Sequence, residues 1–196
     1  MTAQTHHAPA ERASWEDLYE QMQALKKNAT LQTTVEHSRD LVLLLNPHRQ
    51  IVFANKACRD RLCLEDPAEI YGCRIGEAMH CIHAGSGDGG CGTSRKCRGC
   101  GGVNTVLNSL SGGKIAIERF RIETTEPETP MTWIVFTIPL LLETRRYVLV
   151  GLKDEQTETP HAFAKHAFAM QRLAAKVETH ELKTTGGLAP MLPGDR

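Results

Sequence analysis

The sequence predicts an α+β fold, its elements in the order strand, strand, helices, strand, strand, strand, with an amphipathic helix at each end. Three observations carry this reading. Two short apolar runs joined by an Asn-Pro turn stand near the start of the chain. Three β-rich runs stand toward its end. A glycine- and cysteine-rich block with helical flanks separates them.

Residues 1–13 are polar and read as a disordered start. Ser14 followed by Asp17 marks a helix beginning, with an acid in the first turn. Trp15, Leu18, Met22, Leu25 and Ala29 recur at steps of three and four, a narrow seam that suits either packing within the domain or pairing across a dimer. This gives a first unit, residues 1–30.

Leu41 to Leu45 is an apolar run closed by Asn46-Pro47, and Ile51 to Ala54 follows across a tight connection, which together predict a hairpin. Asn55 is a natural N-cap for a helix through Ala57 and Leu62. Cys58 and Cys63 fall there on different faces and read as core or surface thiols. Val103, Val106, Leu107 and Leu110 have helical spacing, stopped by Gly112-Gly113. Strands are predicted over Ile115–Ile122, Trp133–Ile138 and Tyr147–Leu152.

Composition sets bounds on function. The 196 residues suffice for one domain with flanking helices, and 41% hydrophobic with 23% charged residues is a globular balance. Lys+Arg and Asp+Glu are equal at 23 each, so the whole chain carries no electrostatic footprint for nucleic acid or an anionic membrane. The most apolar run, Trp133 to Leu142, is too short to span a bilayer. Met1 to Glu20 has no apolar segment of a secretory signal, so the expected location is cytoplasmic, where thiols stay reduced.

The chemistry concentrates in Cys81-Ile82-His83 and Cys91-Gly-Thr-Ser-Arg-Lys-Cys97-Arg-Gly-Cys100-Gly-Gly, with the spacing C-x9-C-x5-C-x2-C. Four of the seven cysteines lie within twenty residues, and glycines beside them let backbone N–H groups turn toward sulfur. Cys81, Cys91, Cys97 and Cys100 are the candidate ligands of a metal or cluster. The Cys91, Cys97, Cys100 triplet resembles the cluster loop of adrenodoxin-type [2Fe–2S] ferredoxins, whose fourth cysteine lies downstream rather than upstream. Zinc is the alternative, with four sulfurs or with His83 replacing one of them. An iron–sulfur cluster, [2Fe–2S] or [4Fe–4S], is the preferred reading.

Val35-Glu36-His37-Ser38, the hairpin Leu41 to Asn55 and the closing Leu149-Val150-Gly151-Leu152-Lys153-Asp154 resemble the edges of a PAS domain. The cysteine block resembles that of a cysteine-bearing PAS subgroup found in bacterial sensor kinases. The resemblance covers residues 31–155, with the cysteine loop at 81–101. It implies a five-stranded antiparallel sheet with small helices on one face, and a sensory or dimerising module rather than an enzyme, with the loop in the helical segment that covers the pocket. A histidine kinase or another signalling protein is the implied partner, and a homodimer the expected assembly.

Phe163, Ala167, Met170, Ala174, Val177 and Glu181 step by four and three, predicting a signalling helix over 156–185. His180-Glu181-Leu182-Lys183-Thr184-Thr185 resembles a histidine-kinase phosphoacceptor box, with His180 as candidate acceptor. Residues 186–196 read as a disordered tail. No phosphate loop and no nucleophile elbow occurs, and with no room for an ATP-binding domain the chain is not read as an enzyme. The expected function is a PAS sensor that relays a redox, oxygen or metal signal. The alternatives are a zinc-stabilised interaction or ligand-binding module and a ferredoxin-like electron carrier.

Overall fold

The computed structural model describes residues 5–124, 131–142, 144–155, 165, 168–172, 174 and 175. His180 and the tail therefore lie outside the described residues. Helix α1 (Trp15–Lys27) precedes a π-turn at Leu31–Val35, strands β1 (Leu41–Leu45) and β2 (Ile51–Ala54), and helix α2 (Lys56–Arg61). Helices α3 (Ile75–Ala78) and α4 (Gly101–Gly112) follow, then β3 (Ala116–Ile122), β4 (Met131–Leu142) and β5 (Arg145–Asp154). The five strands form one antiparallel sheet in the order β2-β1-β5-β4-β3.

Local chemistry explains the elements. The side-chain oxygen of Asn46 accepts from the N–H groups of His48 and Gln50, each at 3.0 Å, which folds the hairpin turn and lets Arg49 take φ 65°. Strand β5 is buried from Tyr147 to Leu152 because it lies between β1 and β4. Gly151 is required there, since a Cβ would stand 1.7 Å from Cζ of Phe136 on the neighbouring strand. Asn55 caps α2 as expected, and its fully buried side chain does more. Its oxygen accepts from Val42 and Cys58, and its nitrogen donates to the carbonyls of Val35, Ser38 and Asp40. One residue thus joins α2, β1 and the segment before β1.

Side chains alternate across the sheet and build two cores. On one face Leu43, Leu45, Phe120, Ile122, Trp133, Val135, Val148 and Val150 pack with α2, α3 and α4. Helix α4 is fixed there by Gly102 against the Phe120 ring and by a 2.6 Å hydrogen bond between Ser109 and Thr137 hydroxyls. On the other face Val42, Leu44, Phe136, Ile138 and Leu149 pack against Leu18, Met22 and Leu25 of α1 and against Met170 and Ala174.

The apolar seam of α1 is therefore used within the chain. Each of its three buried side chains contributes about 1.5–3 kcal/mol by leaving water. Trp15 and Ala29, counted in the same seam by spacing, are exposed. Ser14 caps the helix through the Asp17 N–H, as the sequence indicates.

Residues 5–13 differ from the disordered start expected of them. Ala8 is 1% exposed, and the His6 and Ala8 N–H groups donate to the carbonyls of Thr93 and Gly92. The segment is ordered through backbone carbonyls, which any sequence carries, so its polar composition gave no sign of it. Strand β4 extends past the predicted end and includes Pro139, and β5 is longer at both ends than its apolar run.

Candidate functional site

A cavity of about 620 Å³ opens between α3, α4, the cysteine loop and the inner sheet face. Cys81, Cys91, Cys97 and Cys100 all line it, together with His83, Arg49, Arg74, Lys96, Arg119 and Arg121. The structure thus brings the four sequence-predicted cysteines to one site, from separate local supports.

Cys81 follows α3. Its N–H donates to the Gly76 carbonyl at 2.7 Å, and it forms an isolated antiparallel bridge with Thr124 just beyond β3. Cys91 is held at both ends of its peptide unit: its N–H donates to Glu77 Oε1 at 2.9 Å, and its carbonyl accepts from Arg74 Nη1 at 3.1 Å. Cys97 is buried in a short 3-10 turn, Arg95–Gly99, with its sulfur 3.2 Å from the Ser94 hydroxyl. Cys100 is the N-cap residue of α4, beside the helix's first N–H groups, though its side chain makes no cap hydrogen bond.

These surroundings set the state of the thiols. Burial pushes the Cys91 thiol up to about 12, against a hydrogen bond from the Gly76 N–H that pulls it down; charge on Cys97, Cys100 and Glu77 raises it further. Burial also raises Cys100, opposed by the N–H groups of Val103 and Gly102. Without a cation these two thiols are neutral at pH 7. A bound cation would displace their protons and find N–H donors already beside the sulfurs. Arg74 is 1% exposed and held down to about 10 by burial, then by the charges of Arg49 and Arg12. The basic lining offsets the negative charge that several thiolates would bring together.

Among the described residues, no group of three or more His, Cys, Asp or Glu side chains is arranged to hold a single metal ion. All four thiols nevertheless line the one cavity. His83 also lines the cavity, with its Nε2 3.3 Å from Glu123 Oε2. Cys58 is a core thiol on α2, pushed up to about 12 by burial, and Cys63 is exposed just beyond that helix. Neither lines this cavity.

Sequence reasoning missed Gly76, Arg74 and Glu77. A side chain at residue 76 would meet the Cys91 sulfur, Arg74 bonds the loop carbonyls, and Glu77 bonds the Cys91 N–H. The signal present was weak, an Arg and a Glu three residues apart across the first turn of a four-residue helix.

No family model matches the chain, and no curated protein matches it. Solved structures do resemble it. The d2 variant of RsLOV is 17% identical, with 88% of this chain and 89% of that chain covered at a TM-score of 0.51. The LOV protein of Rhodobacter sphaeroides is 13% identical, with 90% and 86% covered at 0.47. The PAS domain of an HTR-like protein from Haloarcula marismortui is 16% identical, with 71% and 98% covered at 0.43. What the likeness to the RsLOV variant shows is a shared fold, here a five-stranded antiparallel sheet with helices.

Proposed function

We propose that the chain is a sensory signalling module whose cavity holds a cofactor ligated by Cys81, Cys91, Cys97 and Cys100, with an iron–sulfur cluster as that cofactor. The observation that supports this most is the convergence of four cysteines on one 620 Å³ cavity, one of them at the N-terminus of α4. Four thiolates on one zinc at about 2.3 Å would lie within roughly 4 Å of one another. Because no three of the described side chains are arranged around a single ion, a polynuclear centre suits the set better. When bound, a cluster would supply a centre whose charge and ligation respond to redox state, oxygen or metal supply.

The chain's residues would pass that response on. The loop that carries the ligands bears on α4 and, through Arg74 and Glu77, on the body of the fold. A change at the sulfurs would bias the packing of the flanking helices, and a partner signalling protein or a second copy would read it.

Anaerobic purification with iron, sulfide and zinc analysis and an absorption spectrum tests the reading. A brown protein holding iron and acid-labile sulfide, lost in the Cys97→Ser/Cys100→Ser double variant and kept in Cys58→Ser and Cys63→Ser, is the expected result. A colourless protein with stoichiometric zinc would replace the cluster by a structural metal. Equal metal content in wild type and double variant would overturn the ligand assignment.

A further inference from the structure

The structure assigns residues 6–13 a role as a strap that ties the cysteine loop to α1, a link whose switching by the cavity rests on the cofactor reading above. The strap begins on the loop itself. His6 N–H donates to the Thr93 carbonyl at 2.8 Å and Ala8 N–H to the Gly92 carbonyl at 3.0 Å. Arg98 donates back to the His6 carbonyl at 2.7 Å, and His7 Nε2 lies 2.8 Å from Asn104 Oδ1 on α4. The Ala8 methyl is buried against Cys97 and Val103.

The next residues share their bonding groups with Cys91. Arg74 donates to the carbonyls of Pro9, Ala10 and Glu11, and the same guanidinium donates to the carbonyls of Gly89 and Cys91. Glu77 Oε1 accepts from Arg12 at 2.5 Å and from the Cys91 N–H at 2.9 Å. Ala13 N–H donates to Gln50 Oε1, and Ser14 then caps α1. No slack separates the strap from the helix. The line therefore runs from a loop on the helix-covered face of the sheet to Leu18, Met22 and Leu25 on the opposite face.

A change in the position of Cys91 must be absorbed by two side chains, Arg74 and Glu77, that also hold the strap. Because Arg74 is fully buried, a carbonyl it releases leaves a buried guanidinium donor without its partner. The strap and the loop are thus fastened or loosened together, and α1 loses its entry anchor when they loosen.

Hydrogen exchange on the full chain tests this. Peptides covering residues 5–13 and 15–27 are followed in the chelated, reduced protein and after anaerobic reconstitution with iron and sulfide. Reconstitution should slow exchange in the strap by about tenfold, with α1 slowed in parallel. Ala8→Asp, which places a carboxylate against Cys97 and Val103, should speed exchange in α1 of the chelated protein. A gentler pair of surface changes, His7→Ala with Arg98→Met, should do the same to a smaller degree if Ala8→Asp fails to fold. Exchange in α1 that ignores these variants overturns the strap. A strap indifferent to reconstitution, in a protein that has taken up the cluster, overturns its switching. Failure of wild type to take up iron or sulfide defeats the cofactor reading instead, and the variants in the chelated form still decide whether the strap holds α1.

Discussion

The sulfur of Cys91 occupies the place where a side chain on Gly76 would begin: a Cβ at residue 76 would stand 2.6 Å from that sulfur and 3.4 Å from Cβ of Cys81. Two of the four candidate ligands thus close on one glycine of α3, and its N–H bonds the Cys91 sulfur. Gly76→Ala should favour the helix by its own propensity and still destabilise the protein by about 1–3 kcal/mol through overpacking. Cofactor content should fall with it. Urea denaturation and iron analysis of the variant check both; a stable, fully loaded Gly76→Ala protein would show that Cys91 is free to move aside.

Asn55 makes the second prediction. Its side chain satisfies two backbone N–H groups and three carbonyls while fully buried. Asn55→Ala leaves those groups without partners and should cost about 3 kcal/mol or more. Asn55→Asp keeps both acceptor bonds and places a charge against three carbonyls, so it should be no better. Denaturant midpoints of the two variants against wild type decide this; losses below 1 kcal/mol would contradict the role.

His83 lines the cavity yet faces Glu123 at 3.3 Å. His83→Ala should therefore leave iron and sulfide content unchanged, in contrast to any of the four cysteine variants. Loss of the cofactor in His83→Ala would bring the histidine into the ligand set.

The sequence made some of this legible and hid the rest for physical reasons. The Asn55 and Ser14 caps were readable because capping is a local exchange between a side chain and an N–H two or three residues on. The strands were readable from β-branched runs, and the closeness of Cys91, Cys97 and Cys100 from their spacing. Periodicity told which face of α1 is apolar. It could not tell that Leu18, Met22 and Leu25 meet Val42, Leu44 and Leu149 rather than a second copy, because a seam has no address. The strap was hidden because its bonds run through backbone carbonyls to Arg74, more than sixty residues away. The phosphoacceptor-like His180 falls outside the described residues.

The last prediction concerns pH. Burial raises the thiols of Cys58 and Cys91 to about 12 in the folded protein without cofactor, against an ordinary value of 9.0. A folded-state value above the unfolded one means that the native protein holds these protons longer than the unfolded chain does. The stabilisation is complete below about pH 9 and is lost as the pH climbs from there toward 12, where the unfolded thiols have already ionised. The stability of the chelated, reduced protein should therefore fall across this window, and Cys58→Ala should flatten the slope while lowering stability at pH 7 by a small cavity cost. The same protonation makes both thiols poor nucleophiles at pH 8, so iodoacetamide should label exposed Cys63 first, with Cys58 and Cys91 reacting only on unfolding. Melting temperatures between pH 7 and 11, with mass-spectrometric mapping of the alkylated cysteines, check both statements. A pH-independent stability, or early alkylation of Cys91 in the folded protein, would mean that its sulfur lies in a far more polar environment than the cavity wall described above.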